Sequence, residues 1–165
     1  HMPEQQHSIE IDIPQQTLTL RDAAGNVLMR THVSTAKNGP GERMNSECTP
    51  RGRHIIRAKI GVGAPTNTVF VSRRPTDEIY TPALRVLYPQ RDWILTRILW
   101  LSGQEPGENR LGNVDSMRRY IYIHGAPDEE IMGTPSSHGC IKMRNLDIIS
   151  LFDRVAAGTP VLING

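Results

Sequence analysis

Apolar and polar residues alternate strictly in Ile9-Glu10-Ile11-Asp12-Ile13 and again in Thr17-Leu18-Thr19-Leu20, so each run predicts a strand with one buried face around a Pro-Gln-Gln turn. The turn residues 22–26 lead into a third strand over Val27 to Val33, giving a β-meander. Residues 34–52, rich in Gly, Pro, Asn and Ser, predict a long irregular loop, a length usually kept for function or mobility. Further strands are expected in "RHIIRAKIG" and "TVFVSRR". Residues 73–119 follow no single period; within them Trp93 to Leu101 is read as a strand although its apolar residues fit neither spacing. "RRYIYIHG" alternates again, with Tyr120, Tyr122 and His124 on one face and Ile121 and Ile123 on the other. Asn145 is placed to cap a helix through "LDIISLFDRVAAG", with Asp147 in its first turn, Gly158 as its stop and "TPVLI" as a last strand. The pattern is that of one mainly β domain over residues 1–165, without repeat or linker.

Composition narrows the function classes. At 165 residues the chain can bury a core without staples, and two cysteines, Cys48 and Cys140, are too few for a disulfide framework. A net charge of +2, with no lysine cluster interleaved with aromatics, argues against nucleic acid as a partner. No run of about 18 apolar residues is present, so no membrane helix is expected. His1-Met2 reads as a cloning scar, residues 1–7 as a tag remnant and disordered start, and the N-terminal stretch lacks a hydrophobic signal core; together these give the expectation of a cytoplasmic enzyme.

The candidate chemistry lies at Cys140. A thiol attacks as thiolate, normally with an imidazole to take its proton and a third group to orient that imidazole. His138 lies two residues before Cys140 and shares its face in an extended segment, while His124 ends a strand and is followed by Gly125. Gly139 leaves room for a carbonyl to approach backbone N–H groups. Three readings stand on the residues alone: an inert core thiol, a zinc site from His124, His138 and Cys140, and a nucleophile. The zinc reading lacks CxxC or HExxH spacing and a fourth ligand, so neither metal nor cofactor is expected. His7, His32 and His54 are read as ordinary core or surface residues.

"IHG" at 123–125, "SSHGCIKM" at 136–143 and "GTPVLI" near the end resemble the catalytic domain of the L,D-transpeptidases, the YkuD family. "VSTAKNGPG" and "TPRGRHII" extend the resemblance upstream, so that it covers most of Ile9 to Ile163. Residues 73–119 fit it poorly and are read as an elaboration that covers or narrows the site. The resemblance implies a β-sandwich of mixed sheets with a short helix after the catalytic cysteine. It implies Cys140 as nucleophile, His124 as base, the Gly125 carbonyl orienting His124, His138 shaping the site, and the N–H groups of Gly139 and Cys140 facing an oxyanion. Ser137, Lys142 and Arg144 are expected to contact substrate, Lys142 or Arg144 at its terminal carboxylate because they are the basic residues nearest Cys140 in sequence. Lys142 stands where many members carry Arg, Ala36 where Gly is common and Ala126 where Thr is common. The implied substrate is a peptidoglycan tetrapeptide or muropeptide, cleaved between diaminopimelate and the terminal D-alanine, with carbapenems as covalent inhibitors. Read with the N-terminus, this favours an L,D-carboxypeptidase of peptidoglycan recycling; the alternatives are an exported cross-linking or D-amino-acid-exchanging L,D-transpeptidase and a non-catalytic stem-peptide binding module.

Overall fold

The computed structural model describes residues 6–165. The predicted scar at His1-Met2 lies outside the described residues, and His7, expected within a disordered start, is instead tied down by its Nδ1 to the Arg154 carbonyl at 2.8 Å. The opening meander forms as β1 (Ser8–Asp12), β2 (Thr17–Arg21) and β3 (Val27–His32). Antiparallel pairing sets Ile9 opposite Leu20 and Ile11 opposite Leu18, so the alternating residues meet on one buried face. The remaining strands are β4 (Gly52–Ile60), β5 (Thr68–Val71), β6 (Arg74–Ile79), β7 (Ile94–Gly103), β8 (Tyr122–Gly125), β9 (Ile141–Met143) and β10 (Pro160–Asn164).

They make one mixed sheet, ordered β3-β2-β1-β10-β4-β7-β5-β6, with β8 on β7 and β9 on β8. β1–β10 and β8–β9 are parallel and the other pairs antiparallel. The sheet curls until Ser34, just past β3, exchanges backbone hydrogen bonds with Lys142 of β9 at 3.0 and 2.9 Å. The expected sandwich is thus a single sheet folded over its core, where Ile9, Ile11, Leu18, Leu99, Leu101 and Ile123 pack. The helix α2 (Asn145–Arg154) adds Ile148, Leu151 and Phe152 to that core.

Residues 73–119 are not an elaboration throughout. β7 is the central strand: its 98–103 half pairs with β4 on one edge, and the same strand carries β8 on the other. Because neighbours cover both edges and both faces, its burial is nearly continuous, which is why no period showed. The additions are β6 and the short helix α1 (Pro82–Leu87), neither expected from the sequence; α1 is capped by Thr81, whose Oγ1 accepts the Leu84 N–H at 3.2 Å.

Two helix expectations are corrected. The N-cap of α2 is Arg144, without a side-chain cap, because the Asn145 side chain turns inward: its Oδ1 accepts from Thr96 Oγ1 at 2.6 Å, and its Nδ2 donates to Asn67 Oδ1 at 2.9 Å and Asp128 Oδ1 at 3.0 Å. The helix stops at Arg154, not at Gly158, since Val155 turns extended and is buried in the core. The strand before His124 also starts later than its alternation suggests. Tyr120 has φ +56° and sits in a turn, so Tyr120 does not share the strand with Tyr122 and His124.

Candidate active site

β8 and β9 run parallel with Ile123 beside Ile141, both in the core, so Tyr122 and His124 face away from it. Cys140 directly precedes β9. Its position depends on Gly139, which has φ +131°; a Cβ there would also meet the Cys48 carbonyl oxygen and Ile121 Cδ1, each at 3.3 Å. Thr49 Oγ1 donates to the Gly139 carbonyl at 2.9 Å. Ser137 Oγ donates to the Cys140 carbonyl at 2.5 Å and accepts the Gly139 N–H at 3.1 Å. Ser137 thus braces the loop on both sides of the cysteine.

The sulfur of Cys140 accepts the Tyr122 N–H at 3.4 Å and donates to the Tyr120 carbonyl at 3.3 Å. A carbonyl only accepts, so this contact belongs to the protonated thiol. Burial pushes the thiol up to about 12, and Asp92 adds to this, against the Tyr122 N–H, Arg119 and Lys142. His124 is buried, and burial holds its pKa below the usual histidine value, while Asp92 pulls the other way. Both shifts favour the neutral thiol and imidazole over the ion pair. The 2.6 Å contact of His124 Nδ1 with the Gly125 carbonyl puts the proton on Nδ1, which leaves the Nε2 lone pair to accept another.

Cys140, His124, Ser137 and His138 line one open cavity of about 390 Å³. Gly125 and Gly139 stand behind it, the first through its carbonyl on His124 and the second through its backbone beside the cysteine. Among the described residues, no group of three or more His, Cys, Asp or Glu side chains is arranged to hold a metal.

Lys142 and Arg144 are not brought to this cavity. Lys142 Nζ is bonded to Glu130 Oε1 at 2.9 Å and is largely buried, because β9 turns it toward the 127–136 loop; Arg144 is exposed at the start of α2. The cations of the cavity wall are Arg73 and Arg119, with Asp92, Tyr120 and Tyr122 beside them. Arg119 pins the loop after β3 by donating to the Cys48 carbonyl at 2.6 Å and to the Gly41 carbonyl and Ser46 Oγ, each at 3.3 Å. Alternation in "RRYIYIHG" marked Tyr122. Nothing local marks Arg73 or Asp92, which reach the cavity only because β5, β6 and the start of β7 fold beside β8.

The L,D-transpeptidase catalytic domain family, YkuD, matches residues 6–163. A candidate L,D-transpeptidase of Bacillus subtilis (strain 168), YqjB, is 44% identical over 45 residues, which is 27% of this chain and 26% of that protein. L,D-transpeptidase 3 from Mycobacterium tuberculosis, solved with a faropenem-derived adduct, superposes with a TM-score of 0.60 at 16% identity, over 98% of this chain and 61% of that one. The L,D-transpeptidase LdtMt1, solved in complex with imipenem, gives 0.58 at 21% identity, over 97% and 59%. The chain therefore spans about three fifths of these solved relatives and a quarter of the curated one. A curled mixed sheet that sets Cys140 of a Ser-His-Gly-Cys segment and a tautomer-fixed histidine in one cavity, matched over nearly its whole length, places the chain in the YkuD family of L,D-transpeptidase catalytic domains.

Proposed function

We propose that the chain is a cysteine acyl-transfer enzyme that cleaves the L,D bond between the third residue and the terminal D-alanine of a peptidoglycan stem peptide. The observation that carries this reading is that Cys140 lines one cavity with His124, whose Nδ1 is engaged by the Gly125 carbonyl so that Nε2 is left to accept a proton. Cys140 Sγ attacks the carbonyl carbon as its proton passes to His124 Nε2. The imidazolium is held by the Gly125 carbonyl through Nδ1–H. The oxyanion faces the Cys140 N–H, which has no hydrogen-bond partner among the described residues, whereas the Gly139 N–H is occupied by Ser137 Oγ. His124 returns the proton to the departing amine and D-alanine leaves a thioester on Cys140. Because substrate must first displace the Tyr120 carbonyl from the thiol, proton transfer accompanies attack and no standing thiolate is needed.

Water entering the open cavity resolves the thioester, His124 again taking the proton, and releases the tripeptide. This is the L,D-carboxypeptidase reading. A second reading, transfer to an amine, is favoured by a neighbouring cavity of about 290 Å³ that shares Arg119, Tyr120, Ile121 and His138 with the first and adds Met44, Asn45, Glu47 and Arg118. Mass spectrometry of products from a diaminopimelate tetrapeptide, with and without an added D-amino acid, separates them. Loss of D-alanine alone is expected without the amine, and exchange with it indicates the second reading. No L,D cleavage in either, or cleavage that survives Cys140→Ala, sinks the proposal.

A further inference from the structure

We propose that Arg73 binds a free carboxylate on the side chain of the acyl-donating residue and so selects among stem peptides; this rests on the acyl-transfer reading above. Val71 pairs with Arg74 to close the β5–β6 hairpin, leaving Ser72 and Arg73 as a two-residue loop with φ of +49° and +63°. Such loops are normally made by Asn-Gly or a second glycine, because both positions are left-handed. An arginine held there serves something other than the turn.

Its guanidinium is fixed in place. The carbon Cζ lies 4.7 Å from the Tyr120 ring centroid and 5.0 Å from that of Trp100, and Nη1 donates to Tyr122 Oη at 3.0 Å. One of five N–H groups is thereby used, and among the described residues no carboxylate lies within salt-bridge distance of it. Arg51, Arg85, Arg91 and Lys142 each have an acidic partner. Arg73 is thus an immobilised cation with open donors on the wall of the cavity that holds Cys140.

Tyr122 also gives the reach. Its backbone N–H touches the Cys140 sulfur and its hydroxyl touches Arg73, so the guanidinium lies at most one tyrosine side chain and two hydrogen bonds from the nucleophile. One extended residue, about 3.5 Å, separates the scissile carbonyl from the carboxylate of the leaving D-alanine, which uses little of that reach. A carboxylate at the far end of a long side chain on the acyl residue, as on diaminopimelate, fits the distance.

The test compares wild type, Arg73→Gln and Arg73→Lys on three tetrapeptides: one with both carboxylates free, one amidated on the third residue's side chain, and one amidated at its C-terminus. Arg73→Gln should lose roughly 10- to 100-fold in kcat/KM, carried by KM, on both peptides with the free side-chain carboxylate, the range for one charge-assisted hydrogen bond. It should lose little on the side-chain amide, and Arg73→Lys should keep part of the preference. Calorimetric binding of the same peptides to Cys140→Ala protein, with and without Arg73→Gln, reads the site independently of turnover. If wild type turns over nothing yet that binding still depends on Arg73 and the side-chain carboxylate, the acyl-transfer reading fails and the Arg73 site stands. Equal losses on all three peptides, a preference that follows the C-terminal carboxylate instead, or no binding of any peptide overturns the Arg73 assignment.

Discussion

Lowering the pH should destabilise this protein through His54, a residue outside the cavity that holds Cys140. His54 is buried in β4; its Nε2 meets Ser116 Oγ at 2.8 Å and its Nδ1 meets the Gly52 carbonyl at 3.0 Å. Burial drives its pKa from 6.5 down to about 4, against the pull of Gly52, Glu105 and Glu42. The unfolded chain therefore takes up a proton near 6.5 that the folded chain refuses until about 4, so stability is full above the first value and falls as pH drops through this window. At ~1.4 kcal/mol per pH unit, the gap corresponds to a loss of ~3 kcal/mol. Urea unfolding at pH 7.5, 6, 5 and 4 reads it directly. His54→Gln can keep the contact with Ser116 but cannot titrate; it should be less stable at pH 7.5 and should lose ~3 kcal/mol less than wild type on acidification. Carboxylates and His124 titrate in both proteins, so the difference between the two curves belongs to His54. Parallel curves would refute the argument.

At the active site, wild type should give a single carbapenem adduct by intact mass, located on Cys140, with Cys48 unmodified and no adduct on Cys140→Ala; modification of Cys48 would show that cavity position does not select the thiol. Gly125→Ala would drive a Cβ against Asn145 Oδ1 and the Leu95 carbonyl oxygen, the latter at 2.6 Å, which should cost about 1–3 kcal/mol of stability and lower kcat by moving the carbonyl that fixes His124. Thermal melts together with kcat check this, and unchanged values in both would mean the strand absorbs the methyl group. Lys142→Met should remove the bond to Glu130 and cost about 1–3 kcal/mol of stability, with equal effects on tetrapeptides with free and amidated carboxylates. A loss confined to the peptides with free carboxylates would return Lys142 to a role in substrate binding.

The sequence alone determined what depends on neighbours in the chain. Alternation over residues 9–13 and 17–20 marked strands because each has one buried face, and a period of two reports one buried face. The Ser-His-Gly-Cys segment was legible through its resemblance to the family's motif, which is contiguous in the chain; the structure adds that Gly139 sits at φ +131°. The tertiary structure decided the rest. β7 showed no period because it is covered on every side, and Asn145 left its expected cap to bond Asn67, 78 residues away. The charge of the cavity was decided in the same way. Lys142 and Arg144 are nearest Cys140 in sequence, yet strand direction turns Lys142 onto Glu130 and leaves Arg144 at a helix start. Arg73 arrives from a hairpin 49 residues before Tyr122, its hydrogen-bond partner. Sequence order fixes which residues share a strand face; which strands lie side by side is fixed by burial of the whole sheet, so the Ser-His-Gly-Cys segment could be recognised in the chain by its resemblance, whereas Arg73 and Asp92 on the cavity wall could not.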